Sequence, residues 1–193
     1  QIRVLKLSPG KPWSSIECSL HAIEMDSALQ PRMPYTALSY TWGLETPTAP
    51  ILCNGSILEV TLNLHEALLY LRYMGVETIW IDAICINQSS NIEKEEQVKR
   101  MTQIYKQANS LVVWIGGPTG ASKNGMLLLD YLRLRWPYLD YMGTESIALE
   151  VLSRIPQGHA DYVGDILFRP WFRRAWIIQE LICCKTRASV LCG

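Results

Sequence analysis

The run Thr78-Ile79-Trp80-Ile81-Asp82-Ala83-Ile84-Cys85-Ile86 decides the fold. It is apolar at almost every position and carries a single charge, Asp82, the pattern of a strand buried on both faces of a parallel sheet. Upstream, Asn63 stands where a helix cap is favoured, Leu64, Ala67, Leu68 and Leu71 keep a 3.6-residue period, and Gly75 supplies a stop. Downstream, a polar loop over 87–91 leads into an amphipathic helix from Ile92 to Ala108, with Val98, Met101, Ile104 and Tyr105 expected inward. Leu111–Gly116 then reads as another strand, and Tyr35–Gly43 as an earlier one ending at a glycine. Helix and strand alternate, which predicts an α/β domain with a mostly parallel sheet and right-handed crossovers.

Two hairpins are predicted ahead of this core. Residues 2–7 and 16–25 are strand-like around a Pro-Gly-Lys-Pro turn, and Asn54-Gly55 forms a two-residue turn between Ile51–Cys53 and Ile57–Val60. The residues between Gly43 and Pro50 read as loop. Residues 118–169 break the alternation and are expected to be a helical insertion: Met126–Arg135 is helical, Trp136-Pro137 ends it, and Ile147–Ile155 is a second helical segment. Ala188–Cys192 closes the chain as a strand.

The chain is organised around the stretch Arg169-Pro170-Trp171-Phe172-Arg173-Arg174-Ala175-Trp176-Ile177-Ile178-Gln179-Glu180-Leu181, which holds the candidate functional carboxylate. Pro170 suits a first helical turn, so a helix is expected to start there, with Arg173, Trp176 and Glu180 along one stripe. Ile177, Ile178, Leu181 and Ile182 would surround the carboxylate with apolar side chains. Such a carboxylate must be paired, hydrogen-bonded or raised in pKa. It is either a functional group or a partner of Arg173 or Arg174 that ties the helix to the core.

The 18 Lys and Arg balance the 18 Asp and Glu, so no net field favours nucleic acid or an anionic membrane. Cysteines at 18, 53, 85, 183, 184 and 192 show no CxxC pair, and His21, His65 and His159 are scattered, so no metal site is expected and free thiols fit better than a disulfide framework. A cysteine hydrolase built on Cys85 and His65 has no supporting motif, and Gly116-Gly117 lacks dinucleotide-fingerprint spacing. No run reaches membrane-spanning length. Residue 1 is Gln and the last strand stops at Gly193, so the 193 residues are expected to be one domain cut from a longer protein.

Three blocks, Tyr35–Gly43; Trp80–Gln88 with Glu93, Gln97-Val98, Met101, Ile104-Tyr105, Ala108 and Val113–Gly116; and Trp171-Phe172, Arg174, Trp176, Gln179-Glu180, together resemble the fungal heterokaryon-incompatibility (HET) domain. The resemblance covers most of residues 2–193 and implies a cytoplasmic module that triggers cell death when genetically different hyphae fuse. More distantly, Trp176-Ile-Ile-Gln-Glu180-Leu181 resembles the Trp-x-x-x-Glu-Leu helix of TIR domains, whose glutamate is catalytic in NAD cleavage. The order of strands and helices ahead of it is similar too. Together these imply a flavodoxin-like α/β fold, with the hairpins and residues 118–169 as additions.

On that resemblance Glu180 is the candidate catalytic residue and NAD the substrate rather than a bound cofactor. Cleavage of the nicotinamide–ribose bond passes through an oxocarbenium-like state with a neutral leaving group, so one carboxylate suffices. Trp42 or Tyr40 would stack on a base or nicotinamide ring, with Gly43 allowing close approach; the alternative is core packing. Asp82, Asn87 and Gln88 would bind ribose or diphosphate, unless Asp82 caps a loop, and Arg173 or Arg174 would meet a phosphate. Trp176 belongs to the same stripe. Homo-oligomerisation is expected on activation. The competing reading is a non-enzymatic, self-associating adaptor in which Trp176 and Glu180 are structural.

Overall fold

The computed structural model describes residues 1–11, 14–25, 33–43, 46–139, 160–184 and 188–193. They divide into two compact units, one of Gln1–Gly117 with Arg174–Leu191 and Gly193, the other of Pro118–Arg173 with Cys192.

The first unit is built on an eight-stranded sheet with spatial order β5-β4-β2-β1-β6-β3-β7-β8. Its strands are β1 (Ile2–Leu7), β2 (Glu17–Ile23), β3 (Thr36–Tyr40), β4 (Thr48–Cys53), β5 (Ser56–Thr61), β6 (Thr78–Trp80), β7 (Ser110–Trp114) and β8 (Ala188–Leu191). The sheet is mixed, which corrects the mostly parallel arrangement expected. β6, β3, β7 and β8 run parallel. β1 runs antiparallel to both β2 and β6. The first hairpin is therefore part of the sheet. Val4, Leu5 and Leu7 are buried, so β1 presents apolar side chains to both faces and fits an interior position.

The second hairpin forms around Asn54 and Gly55, at φ 51° and 76°, the left-handed pair a tight two-residue turn needs. β4 begins at Thr48, earlier than expected, and includes Pro50 opposite Glu59. Pairing with β2 involves only Leu52 and Cys53, so the missing donor of Pro50 falls where β4 has no neighbour on that side.

Helix α1 (Leu62–Tyr73) is capped by Thr61, whose hydroxyl accepts the Leu64 amide at 3.4 Å, and not by Asn63. Leu64, Ala67, Leu68 and Leu71 form its buried stripe, and Gly75 ends it at φ 72°. The predicted strand from Thr78 to Ile86 stops at Trp80; Asp82–Cys85 instead makes one short helix, α2. Asp82 accepts the Ala83 amide at 2.7 Å, a local bond that competes with strand pairing and turns the chain. Helix α3 (Asn91–Gln107) begins at Ser90, whose hydroxyl accepts the Glu93 amide, and buries Met101, Ile104 and Tyr105. Val98, expected inward, is exposed because the buried stripe of α3 lies nearer its C-terminal end.

In the second unit, α4 (Ser122–Leu139) packs on α5 (Ala160–Leu167). Thr119 and Ser122 cap α4 reciprocally, each hydroxyl accepting the other residue's amide at about 3 Å. A Cβ on Gly125 would run into the Tyr162 carbonyl oxygen and the Ile166 side chain, so the two helices touch through backbone. The helix is continuous through Pro137, where the expected stop lay, as far as Leu139, beyond which the chain is not described until residue 160. The segment Ile147–Ile155 lies outside the described residues.

Pro170 does not open a long helix. It starts a 3₁₀ turn, Pro170–Arg173, after which the chain breaks before helix α6 (Ile177–Cys183).

Candidate functional site

The site is built where β3 ends. Its residues Ala37, Leu38, Ser39 and Tyr40 are all buried, and side chains alternate along a strand, so Ser39 and Tyr40 point to opposite faces. On the Ser39 side lies Glu180 of α6, only 1% exposed. The Ser39 hydroxyl donates to Glu180 Oε2. Arg174 donates from both terminal nitrogens, Nη2 to Oε1 at 3.1 Å and Nη1 to Oε2 at 3.4 Å, a forked pair. Gln179 anchors α6 on α3, its amide nitrogen donating to Thr102 Oγ1 at 2.6 Å.

The break after Arg173 makes this pairing feasible. In one continuous helix, residues six apart are separated by about 240° around the axis and face apart. With the break, Arg174 closes on Glu180 while Arg173 ends the 3₁₀ turn, exposed, in the other unit. The stripe of Arg173, Trp176 and Glu180 expected from spacing does not form for that reason. Nor do the neighbouring apolar residues enclose the carboxylate: Ile178, Leu181 and Ile182 are 63%, 40% and 76% exposed. Burial comes from β3 and α3. Trp176 precedes α6 with its indole half exposed.

Tyr105 of α3 donates to the Leu38 carbonyl at 3.5 Å. Burial lifts its phenol well above its ordinary pKa, and the negative charges of Glu180 and Asp82 push the same way, against Arg174. Tyr40 is lifted by burial and then by Asp82, again opposed by Arg174. Asp82 is itself raised by loss of water, against the stabilising Trp42 and Ala83 donors and the Arg174 charge, with Glu180 adding to the rise. One cation thus stands among two carboxylates and two phenols.

Trp42 donates its indole N–H to Asp82 Oδ2 at 2.9 Å, and the Gln88 amide donates to the Asp82 carbonyl at 2.8 Å. Gly43 holds φ 80°, which turns the chain away from β3. Asn63, freed from capping, donates to the Thr41 carbonyl at 2.5 Å and accepts from the Trp114 indole at 2.8 Å. A cleft of about 120 Å³ opens here, with Tyr40, Trp42, Thr61, Leu64 and Ile84 among its walls. The fold therefore gathers Tyr40, Trp42, Gly43, Asp82, Gln88, Arg174 and Glu180 around the ends of β3 and β6. Asn87 is exposed and serves its own turn: its amide donates to Glu93 and its side chain accepts from the Ser89 amide.

Sequence reading missed Ser39, Asn63 and Tyr105 as members of the site. The available signal for Ser39 was a lone hydroxyl late in an otherwise apolar strand. Asn63 read as a cap and Tyr105 as core, because neither pattern shows a contact made far along the chain. Among the described residues, no group of three or more His, Cys, Asp or Glu is placed to hold a metal ion, and no helix is long and apolar enough to cross a membrane.

The fold and this cluster define a mixed-sheet α/β protein with a buried, arginine-paired glutamate at the end of a parallel strand. Residues 35–180 match the family model described as heterokaryon incompatibility protein (HET), and the chain belongs to that family. It is similar to heterokaryon incompatibility protein 6, OR allele, of Neurospora crassa, with 29% identity over 221 aligned residues, 95% of this chain and 32% of that protein. The chain thus spans about a third of that relative's length. No solved structure matches it.

Proposed function

We propose that this chain is an effector domain of fungal non-self recognition that cleaves NAD at the nicotinamide–ribose bond, with Glu180 as the catalytic carboxylate. The observation that carries this reading is the position of Glu180, buried against β3 and held by Ser39 and Arg174. The parallel strands support it. Taken in chain order as first (β3), second (β6), third (β7) and fourth (β8), they lie in space as second, first, third, fourth. That order agrees with a flavodoxin-like arrangement of these four strands, in which the ligand crevice opens at the strand ends beside the first strand. The family's printed description and the Neurospora relative's name support an incompatibility role.

In this reading the half-exposed Trp42, rather than the buried Tyr40, stacks on the nicotinamide or adenine ring, and Asp82 and Gln88 border the ribose. The NAD diphosphate offers Arg174 a second anionic partner, and as the guanidinium turns to it, Glu180 becomes free to face the ribose. The carboxylate then stabilises the positive charge that develops as neutral nicotinamide leaves. The domain acts in the cytoplasm, as a self-associated species.

The test is nicotinamide release from NAD by the purified protein over a range of concentrations, beside a folded Glu180→Gln variant. Turnover by wild type and its loss in the variant is the expected result. A rise steeper than linear with protein concentration is expected if association completes the site. The exposed Ile178 and Ile182 on α6 favour a second reading, a non-enzymatic adaptor that self-associates through this helix. That reading expects no turnover, and loss of association in Ile178→Ser with Ile182→Ser.

A further inference from the structure

β2 and β4 run side by side in parallel but pair at only two positions, Glu17 with Leu52 and Cys18 with Cys53. The second pair places two cysteines directly opposite each other. Both are buried and free. Adjacent strands are about 4.8 Å apart, inside the roughly 4.4–6.8 Å Cα separation that a disulfide takes. Side chains of register partners also leave the sheet on the same face. Little backbone movement is needed to join them.

The two thiols are almost equally enclosed, Cys18 6% and Cys53 8% exposed. Cys53 lines an open cavity of about 390 Å³ with Leu20, Ser56, Ile84 and Gln88. The Cys18 thiol is pushed up to about 12 by burial and then by neighbouring Cys53. Cys53, on the cavity wall, is therefore placed to meet a reagent first, and its register partner Cys18 to resolve the product.

We infer that Cys18 and Cys53 form a redox modification site, a dithiol that a small-molecule disulfide of the glutathione class converts into a cross-strand Cys18–Cys53 bond. Cys53, as thiolate, attacks one sulfur of the reagent; a Cys53 mixed disulfide forms and the first small thiol leaves. Cys18 then attacks the Cys53 sulfur as its proton passes to the departing small thiolate, the internal bond forms and the second small thiol leaves. The two cysteines lose two electrons and two protons, and the reagent gains both as two thiols.

The bond closes at one of the sheet's two-pair junctions. Without it, the β4–β5 hairpin is held to β2 by that two-pair ladder and the amide bonds flanking it, Leu52 to the Ile16 carbonyl and Asn54 to the Cys18 carbonyl. The same hairpin supplies Leu58, Val60 and Thr61 to the 120 Å³ cleft beside Tyr40 and Trp42. Oxidation therefore fixes one wall of that cleft. This inference stands whether or not the domain cleaves NAD.

The experiment treats the purified protein with oxidised glutathione and follows intact mass, thiol count and a non-reducing peptide map. A C183S/C184S/C192S background removes the half-buried thiols, and the map made on wild type reads the same linkage should that background fold poorly. The expected product is lighter by about 2 Da with two thiols gone, and one linked peptide pair joins Cys18 to Cys53. Its melting temperature rises by about 5–10 °C, and the Leu52 and Asn54 amides exchange more slowly. C18S is expected to stop with glutathione attached at Cys53. The inference is overturned if Cys18 and Cys53 stay reduced, if Cys53 is joined to Cys85, or if wild type halts at the mixed disulfide.

Discussion

At the residue scale, the energetics of the site turn on a carboxylate that water does not reach. Glu180 has one donor from Ser39 and a forked pair from Arg174, and the Arg174 side chain keeps 21% of its surface in solvent. Losing Arg174 leaves Glu180 charged, buried and held by a single hydroxyl, whereas losing the Glu180 charge leaves a partly solvated cation. Arg174→Ala is thus expected to cost about 2–4 kcal/mol and Glu180→Gln about 1–3 kcal/mol. The double variant should cost less than the sum, and urea unfolding of all four proteins measures the difference. Additive costs would mean the pair is not formed. Asp82 provides a pH test. Its folded-state pKa lies above its ordinary value, so the fold binds this proton more tightly than the unfolded chain does. That contribution is complete below the ordinary carboxylate range near about 4 and is lost as pH rises through the raised value. Relative to Asp82→Asn, wild type should lose melting temperature steadily as pH is raised from there towards neutrality. Parallel curves for the two proteins would show that the charged form carries no penalty.

At the element scale, short-range chemistry outweighs apolar patterning at several points. The apolar run through Ile86 reads as one long strand, yet Asp82 accepts both the Ala83 amide and the Trp42 indole, and a helical turn replaces the strand's second half. Thr61 takes the capping role that Asn63 would suit, because Asn63 is engaged by Thr41 and Trp114. The buried stripe of α1 was legible from its 3.6-residue period; the cap depended on a residue brought in by the sheet. In the second unit, the close crossing at Gly125 makes a sharp prediction. Gly125→Ala should weaken the α4–α5 pair by about 1–3 kcal/mol, since the added methyl meets the Tyr162 carbonyl rather than a flexible side-chain tip. Faster amide exchange over 160–167, with the first unit's amides unchanged, is the expected signature. A gain in protection, from the higher helix propensity of alanine, would place the helices further apart than the structure has them.

At the scale of the whole molecule, the sheet depends on its first strand. β1 bonds to β2 on one side and β6 on the other, so removing residues 1–7 would leave two apolar edges unpaired in the interior. A chain starting at Ser8 is expected to lose cooperative unfolding and to aggregate, as followed by circular dichroism and light scattering; a soluble, cooperatively melting product would show that the two halves of the sheet stand separately. The N-terminal residues were legible as a hairpin, but not as the middle of the sheet. Periodicity and turn residues report which faces a segment buries and where it reverses, and on those grounds the sequence determined the two hairpins, the parallel strands of β3, β6 and β7, the apolar stripe of α1 and most of that of α3, and Glu180 as a carboxylate in need of a partner. What only the tertiary structure decided were the pairings: β1 between β2 and β6, Cys18 opposite Cys53, Ser39 beneath Glu180, and Arg174 rather than Arg173 as its partner. Each joins residues through a break in the helix or across distant segments of the chain, and a local pattern carries no term for the partner it will meet there.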